Sequence, residues 1–263
     1  MNPRPKRALG QHFLADPRIL ARIGDALGAR PGESVLEIGP GRGALTGELL
    51  RRGWSVTAIE KDGRLAPSLA ARWPALRVVQ ADALEVNWLE AVAPASPRWF
   101  VIGNIPYNIT SPLIEKALEA QPTEIVFLVQ KEVADRLAAA PGSAEYGALT
   151  VGVSATALVE KLFTVPAGAF TPRPKIDSAV VRLTPGPRGP ADPRFRRLVV
   201  GLFGARRKQL GRALRTVLDL SAESAVALIA PTGIDPTRRP ETLSVAEFER
   251  LFGAVVDGGL GGA

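Results

Sequence analysis

The chain has 263 residues, with 33 Lys and Arg against 26 Asp and Glu, a net charge of +7 and a pI near 10.2. It contains no cysteine, which excludes disulfides, thiolate metal sites and a Cys nucleophile. The basic surplus is mostly Arg, whose guanidinium pairs with phosphate in a fork, so the charge favours a nucleic-acid partner over a merely solvated surface.

The opening "MNPRPKRALGQHF" is basic but lacks the apolar stretch of a signal peptide, and no later run has the length of a membrane span. A cytoplasmic protein with no membrane association is expected. "DPRILARIGDALGA" predicts a helix with Asp16 as N-cap and Pro17 at the first helical position. Strand-like "SVLEIG", "WSVTAIE", "LRVVQAD", "RWFVIGN" and "EIVFLVQ" then alternate with helix-length "GALTGELLRRG", "GRLAPSLAARW", "ALEVNWLEAV" and "SPLIEKALEA". That alternation predicts βαβ units on a parallel sheet covered on both faces, a doubly wound, Rossmann-like α/β domain.

Next, "KEVADRLAAA" reads as helical, "LTVGVSATALVEKLF" and "SAVVRLTP" as two further apolar runs, and the Pro-rich "VPAGAFTPRPKID" between them as a loop. "TPGPRGPADP" reads as a linker, which sets the expected boundary: 1–186 for the α/β domain with its basic tail, 187–263 for a small all-α domain. The helical patterns there are "RFRRLVVGLFG", "RRKQLGRALRTVLDL", "AESAVALIA" and "SVAEFERLFGAVV"; "DGGLGGA" is expected to fray.

The chemistry gathers where the predicted strands end. In "VLEIGPGRGALT" the glycines Gly39, Gly41 and Gly43 make a tight turn into a helix, letting a ligand approach the backbone and the helix N-terminus. The spacing is G-x-G-x-G, not the G-x-G-x-x-G of a dinucleotide site. Glu37 could take an ammonium while loop amides take a carboxylate. Glu60 could accept from ribose hydroxyls and Asp82 from an adenine amino group. Singly, each acid reads as well as a turn or cap residue; three at successive strand ends point to an adenosine-containing ligand, with S-adenosylmethionine the candidate that has both ends.

"NIPY" follows the fourth of those strands. Pro106 releases the backbone from the ladder, so the Asn104 side-chain oxygen and the Ile105 carbonyl become two acceptors converging on an NH2 group. Tyr107 would stack on a base, and Phe170 could close its other face. The plain alternative is that these residues only end a strand.

These residues resemble the ribosomal RNA adenine N6-dimethyltransferases of the KsgA type. The resemblance runs through "LGQHFLADP", "EIGPGRGALT", "IEKD", "ADAL", "GNIPYNITSPL", "FLVQKEVADRL", "FTPRPKIDSAVVRL", "LFGARRKQL" and "RPETLSVAEFERLF". It implies a class I S-adenosylmethionine-dependent methyltransferase fold. By matching position it implies cofactor contacts from Gln11, His12 and Leu14, where His12 replaces the commoner Asn, and from Glu60 with Lys61, Asp82 with Ala83, and Asn104. It also implies dimethylation of two adjacent adenosines in the 3'-terminal hairpin loop of 16S ribosomal RNA within an immature 30S subunit, without a metal. The basic run Arg194, Arg196, Arg197, Arg206, Arg207, Lys208, Arg212 and Arg215 is the expected phosphate contact, against the plain reading of a solvated helix face. A monomer is expected.

Two readings compete. An Erm-type methyltransferase acting on large-subunit RNA shares "GNIPYNI" and the glycine turn, whereas "FTPRPKIDSAVVRL", "RRKQL" and "RPETLS" look more like the small-subunit enzyme. A methyltransferase-fold RNA-binding factor without catalysis would be expected to have lost Asn104, Pro106, Tyr107 and Phe170, all of which are present.

Overall fold

The computed structural model describes residues 11–95, 97–186 and 192–259. The N-terminal basic tail up to Gly10, linker residues 187–191 and residues 260–263 of the expected frayed tail lie outside the described residues.

Five short apolar runs become the parallel half of a sheet: β2 (Ser34–Ile38), β3 (Ser55–Glu60), β4 (Arg77–Gln80), β5 (Trp99–Asn104) and β6 (Glu124–Gln130). β2 is buried at every position, and β5 and β6 at all but their ends, as central strands covered on both faces require. Each such aliphatic side chain stabilises the fold by roughly 1.5–3 kcal/mol. Two further strands, β7 (Ala157–Val165) and β9 (Ser178–Pro185), complete a seven-stranded sheet of order β4-β3-β2-β5-β6-β9-β7. The sheet is therefore mixed rather than all parallel, because β9 runs antiparallel to β6, with Phe127 opposite Val181.

The chain winds outward from β2 through β3 to β4, then returns to β5 on the other side of β2. Strand order reverses at β2 and β5, and an open α/β sheet has its ligand crevice there, outside the carboxyl ends. Helices α2 (Ala44–Arg51), α3 (Ala66–Arg72), α4 (Trp88–Val92) and α5 (Thr110–Glu119) link these strands, and the helix expected from "KEVADRLAAA" follows β6 as α6 (Lys131–Leu137). α4 is shorter than its apolar pattern suggests, since the Asn87 side chain accepts from the Leu89 and Glu90 amides and starts the helix there. Ahead of the sheet, α1 (Pro17–Asp25) begins as expected, with Asp16 capping the Arg18 and Ile19 amides.

Three segments differ from their sequence reading. The start of "LTVGVSATALVEKLF" is a helix, α7 (Ala148–Ser154), whose β-branched residues mimic a strand pattern. The Pro-rich "loop" contains a two-residue strand, β8 (Phe170–Thr171), paired antiparallel with β1 (Phe13–Leu14). Arg206, Arg207 and Lys208 lie in a turn, because the helix expected from "RRKQLGRALRTVLDL" begins only at Leu210.

By internal contacts the chain divides into two units, the first comprising residues up to Ala134 together with Leu158–Gly186. The second takes Asp135–Ala157 as well as the C-terminal helical segment, so those residues do not belong to the α/β domain as the expected boundary had it. The reason is local packing: Tyr146 and Val151 sit in one core with Phe195, Leu202, Leu214 and Phe248. That core is built by α7, α8 (Pro193–Gly204), α9 (Leu210–Leu218), α10 (Ala222–Ile229) and α11 (Val245–Asp257). Tyr146 also donates its hydroxyl to the Leu243 carbonyl at 2.7 Å, and burial pushes its phenol up to about 12.

Candidate active site at the carboxyl edge of the sheet

Where β2, β3, β4 and β5 end, a cavity of about 200 Å³ opens, far more than the ~10–15 Å³ that one water needs. Glu37, Gly39 and Gly41 line it from β2 and its turn, Glu60 and Lys61 from β3, and Asp82 and Ala83 from the turn after β4. Gln11, His12 and Leu14 reach it from the N-terminal side, and Asn104, Ile105, Pro106 and Tyr107 from the end of β5. The structure thus gathers these residues into one cavity from five separate stretches of sequence.

The acids are in different states. Glu37 is 1% exposed, and burial pushes its carboxyl up to about 8 despite a 2.6 Å hydrogen bond donated by Thr46 Oγ1. At neutral pH it is mostly protonated. Glu60 is also buried, and burial raises its pKa. Its two oxygens accept from the Asp62 amide at 2.8 Å and the Gly41 amide at 2.9 Å. Asp82 is held below its ordinary value by the Lys61 ammonium, with the Leu84 amide adding a second hydrogen bond.

The glycine turn is built as expected and employed differently. Gly39, Gly41 and Gly43 all have positive φ, and a Cβ on Gly41 would lie 3.0 Å from the Phe13 ring. Their amides, however, serve the protein: Gly39 donates to the Ile59 carbonyl, Gly41 to Glu60 and Gly43 to the Pro40 carbonyl. These three amides are thus engaged within the protein, because the turn folds tightly onto the end of β3.

At the end of β5, Gly103 has no room for a side chain; a Cβ would stand 2.6 Å from the Ile38 carbonyl. Ile105 remains in the ladder through its amide, 3.0 Å from the Leu128 carbonyl, and Pro106 then ends the pairing. Asn104 donates from Nδ2 to the His12 carbonyl at 2.9 Å, which leaves Oδ1 as the end that can accept. Tyr107 starts a single 3-10 turn that Thr110 closes by bonding the Pro106 and Tyr107 carbonyls. The Tyr107 hydroxyl is 2.8 Å from Ser178 Oγ, and burial raises its pKa.

Phe170 is the exception among the expected residues. It is 3% exposed, packs into the core beside Leu14 and is not among the cavity-lining residues, because β8 turns Phe170 inward and Thr171 outward. The expected second stacking face is not formed by it here. Conversely, the sequence reading passed over Phe13 and Arg42, which line the cavity and stack with the guanidinium 4.4 Å from the ring. It also passed over buried Asp62, which Gln11 contacts at 3.2 Å, and Ser178. All four lie inside blocks that carry the family resemblance: Phe13 in "LGQHFLADP", Arg42 in "EIGPGRGALT", Asp62 in "IEKD" and Ser178 in "FTPRPKIDSAVVRL".

In the helical unit, all eight expected RNA-contacting residues are exposed, on α8, the turn and α9. Arg194 pairs with Asp192 at 2.7 Å and Arg206 approaches Glu241 at 3.9 Å. Among the described residues, no helix is long and apolar enough to cross a membrane.

A family model described as ribosomal RNA adenine dimethylase matches residues 2–255. The chain is 42% identical to ribosomal RNA small subunit methyltransferase A of Geobacter metallireducens, over 96% of each protein. It is 45% identical to the protein of that name from Xanthomonas campestris, over 94% of each. Among solved structures it is similar to a dimethyladenosine transferase from Plasmodium falciparum, with TM-score 0.83, 27% identity and coverage of 94% of this chain and 98% of that one. It is also similar to the 23S rRNA methyltransferase ErmE, with TM-score 0.69, 29% identity and coverage of 93% and 99%.

Proposed function

This chain belongs to the ribosomal RNA adenine dimethylase family, and on that premise we propose that it dimethylates N6 of two adjacent adenosines in the 3'-terminal hairpin loop of 16S RNA within the immature 30S subunit. The observation that carries the reading is the meeting, at one sheet edge, of a cavity lined by three acids with the Asn104–Tyr107 turn. The cavity's donor set fits S-adenosylmethionine. Glu37 is a buried carboxyl protonated for want of a counter-charge, which an ammonium would supply. Glu60 retains lone pairs for ribose hydroxyls beyond its two backbone bonds, and Asp82 stays ionised to accept from an amino group. Gln11, His12 and Leu14 line the cavity from the N-terminal side, and Lys61 and Ala83 would help to hold the bound group next to Glu60 and Asp82.

When bound, S-adenosylmethionine supplies an electrophilic methyl group on a cationic sulfur. The protein's part is to present the amine. Asn104 Oδ1 and the Ile105 carbonyl accept its two hydrogens and turn the nitrogen lone pair out of conjugation with the ring, toward the methyl. Tyr107 stacks on the base, which leaves a single-stranded loop at low cost. Once methylated, the amine nitrogen would be strongly acidic and would give its proton to water, so the site needs no dedicated base.

The exposed Arg and Lys residues of α8, the turn and α9 contribute phosphate contacts. The protein works as a monomer in the cytoplasm, where its RNA substrate is assembled. Incubation with methyl-labelled S-adenosylmethionine and either unmethylated 30S particles or protein-free large-subunit RNA tests the substrate. Label is expected in the 30S particles; label only in large-subunit RNA would overturn the assignment.

A further inference from the structure

We propose that His12 is a positioning residue for the methyl-accepting amine, acting through Asn104 and Tyr107 rather than on the reacting atoms; this rests on the reading of the site given above. Three contacts converge on it. Its main-chain carbonyl accepts from Asn104 Nδ2 at 2.9 Å, across 92 residues of sequence. An amide has a donor end and an acceptor end, so this bond decides which one is offered to a substrate. Flipping Asn104 would set Oδ1 against the His12 carbonyl, two acceptors facing each other. The backbone of His12 therefore selects the amide orientation that an NH2 substrate needs.

The His12 ring stacks on Tyr107, with centroids 5.6 Å apart and planes inclined by 23°. Tyr107 is tied at its far end by Ser178, so its ring is held at two points. Finally, His12 Nδ1 lies 2.7 Å from the Pro172 carbonyl. A carbonyl only accepts, so Nδ1 is the donor in this contact. Pro172 directly follows β8, whose two residues pair with Phe13 and Leu14 next to His12. A two-residue pairing is weak by itself, and the side-chain bond beside it pins the segment in register. One residue thus meets the amide, the aromatic ring and the segment that follows β8.

Three substitutions separate the two side-chain contributions, and all three keep the main-chain carbonyl that meets Asn104. His12→Phe keeps a ring without the Nδ1 donor, His12→Asn keeps a side-chain donor without the ring, and His12→Ala removes both. Single-turnover methyl transfer and calorimetric binding of S-adenosylmethionine are measured on the full chain, together with NMR of the Tyr107 ring protons in the protein alone. The chain has two tyrosines, and the Tyr107 signals are those lost in Tyr107→Ala. His12→Ala should slow single-turnover transfer about tenfold at saturating S-adenosylmethionine, where any affinity lost with its place in the cavity wall no longer counts, with partial recovery in the other two variants. Tyr107 signals should move in the Ala and Asn variants and much less in Phe. Unchanged transfer at saturating cofactor in His12→Ala, or unmoved Tyr107 signals, would each overturn the proposal. If the wild type methylates no adenine, the parent reading fails instead, and the Tyr107 signals, recorded without substrate, still decide whether His12 holds that ring.

Discussion

The cavity at the sheet edge and the basic face of α8 and α9 are both polar, but they hold their polar groups differently. In the cavity, Glu37, Glu60 and Asn104 are each fixed by a hydrogen bond to another named group, and the two acids are buried. On the basic face, eight cations stand in solvent on helix surfaces and a turn. The first arrangement suits geometry, where one misplaced atom spoils the whole; the second suits electrostatics, where charges act additively and are screened by salt. Single substitutions should therefore be severe at the cavity and mild on the basic face.

The largest contrast should come from Asn104→Ala, which removes one of the two amine acceptors. Methyl transfer should fall by ~10²–10³-fold, as when one oriented hydrogen-bonding group is lost from a preorganised site, while calorimetry shows S-adenosylmethionine binding changed by only a few-fold. Tyr107→Ala should weaken capture of the base by ~10–100-fold, the worth of one stacking contact, read as a rise in KM for the particle.

Glu37 sharpens the comparison through pH. Its folded value of about 8 lies above the 4.5 of an ordinary glutamate, so between these the folded state binds more protons than the unfolded state. Stability of the cofactor-free protein should fall as pH rises through that window, by about 1 kcal/mol per pH unit from this group. Urea titrations at several pH values should show the slope in the wild type and its loss in Glu37→Gln. The smallest effect is expected on the basic face: Arg212→Ala should weaken RNA binding only a few-fold and reduce the salt-dependence slope by about one unit or less. An Arg212→Ala enzyme as damaged as Asn104→Ala would abolish the distinction between the two regions.

Much of this architecture was legible because buried parallel strands leave an unmistakable mark. "SVLEIG" and "RWFVIGN" are apolar without alternation, and the acids and Asn104 fall where those runs stop. The antiparallel direction of β9 was not legible, since "SAVVRLTP" has the same composition whichever way it runs. α7 was obscured by Thr150, Val151 and Val153, whose strand preference yields to packing around Tyr146. The site's details depended on contacts distant in sequence. The Gly41 amide is taken by Glu60, Phe170 is drawn inward by its pairing with Leu14, and the Asn104 amide is set by His12. None of these follows from the spacing of the motifs themselves.

The central claim is that the Asn104–Tyr107 turn presents adenine N6 of small-subunit RNA to S-adenosylmethionine, twice at each of two neighbouring nucleotides. The most direct measurement is mass-spectrometric mapping of modified nucleosides in 16S RNA recovered from unmethylated 30S particles after reaction with the protein. Two adjacent N6,N6-dimethyladenosines in the 3'-terminal hairpin loop are the predicted result. Methylation of any other position or atom, or an unmodified hairpin loop, would contradict it.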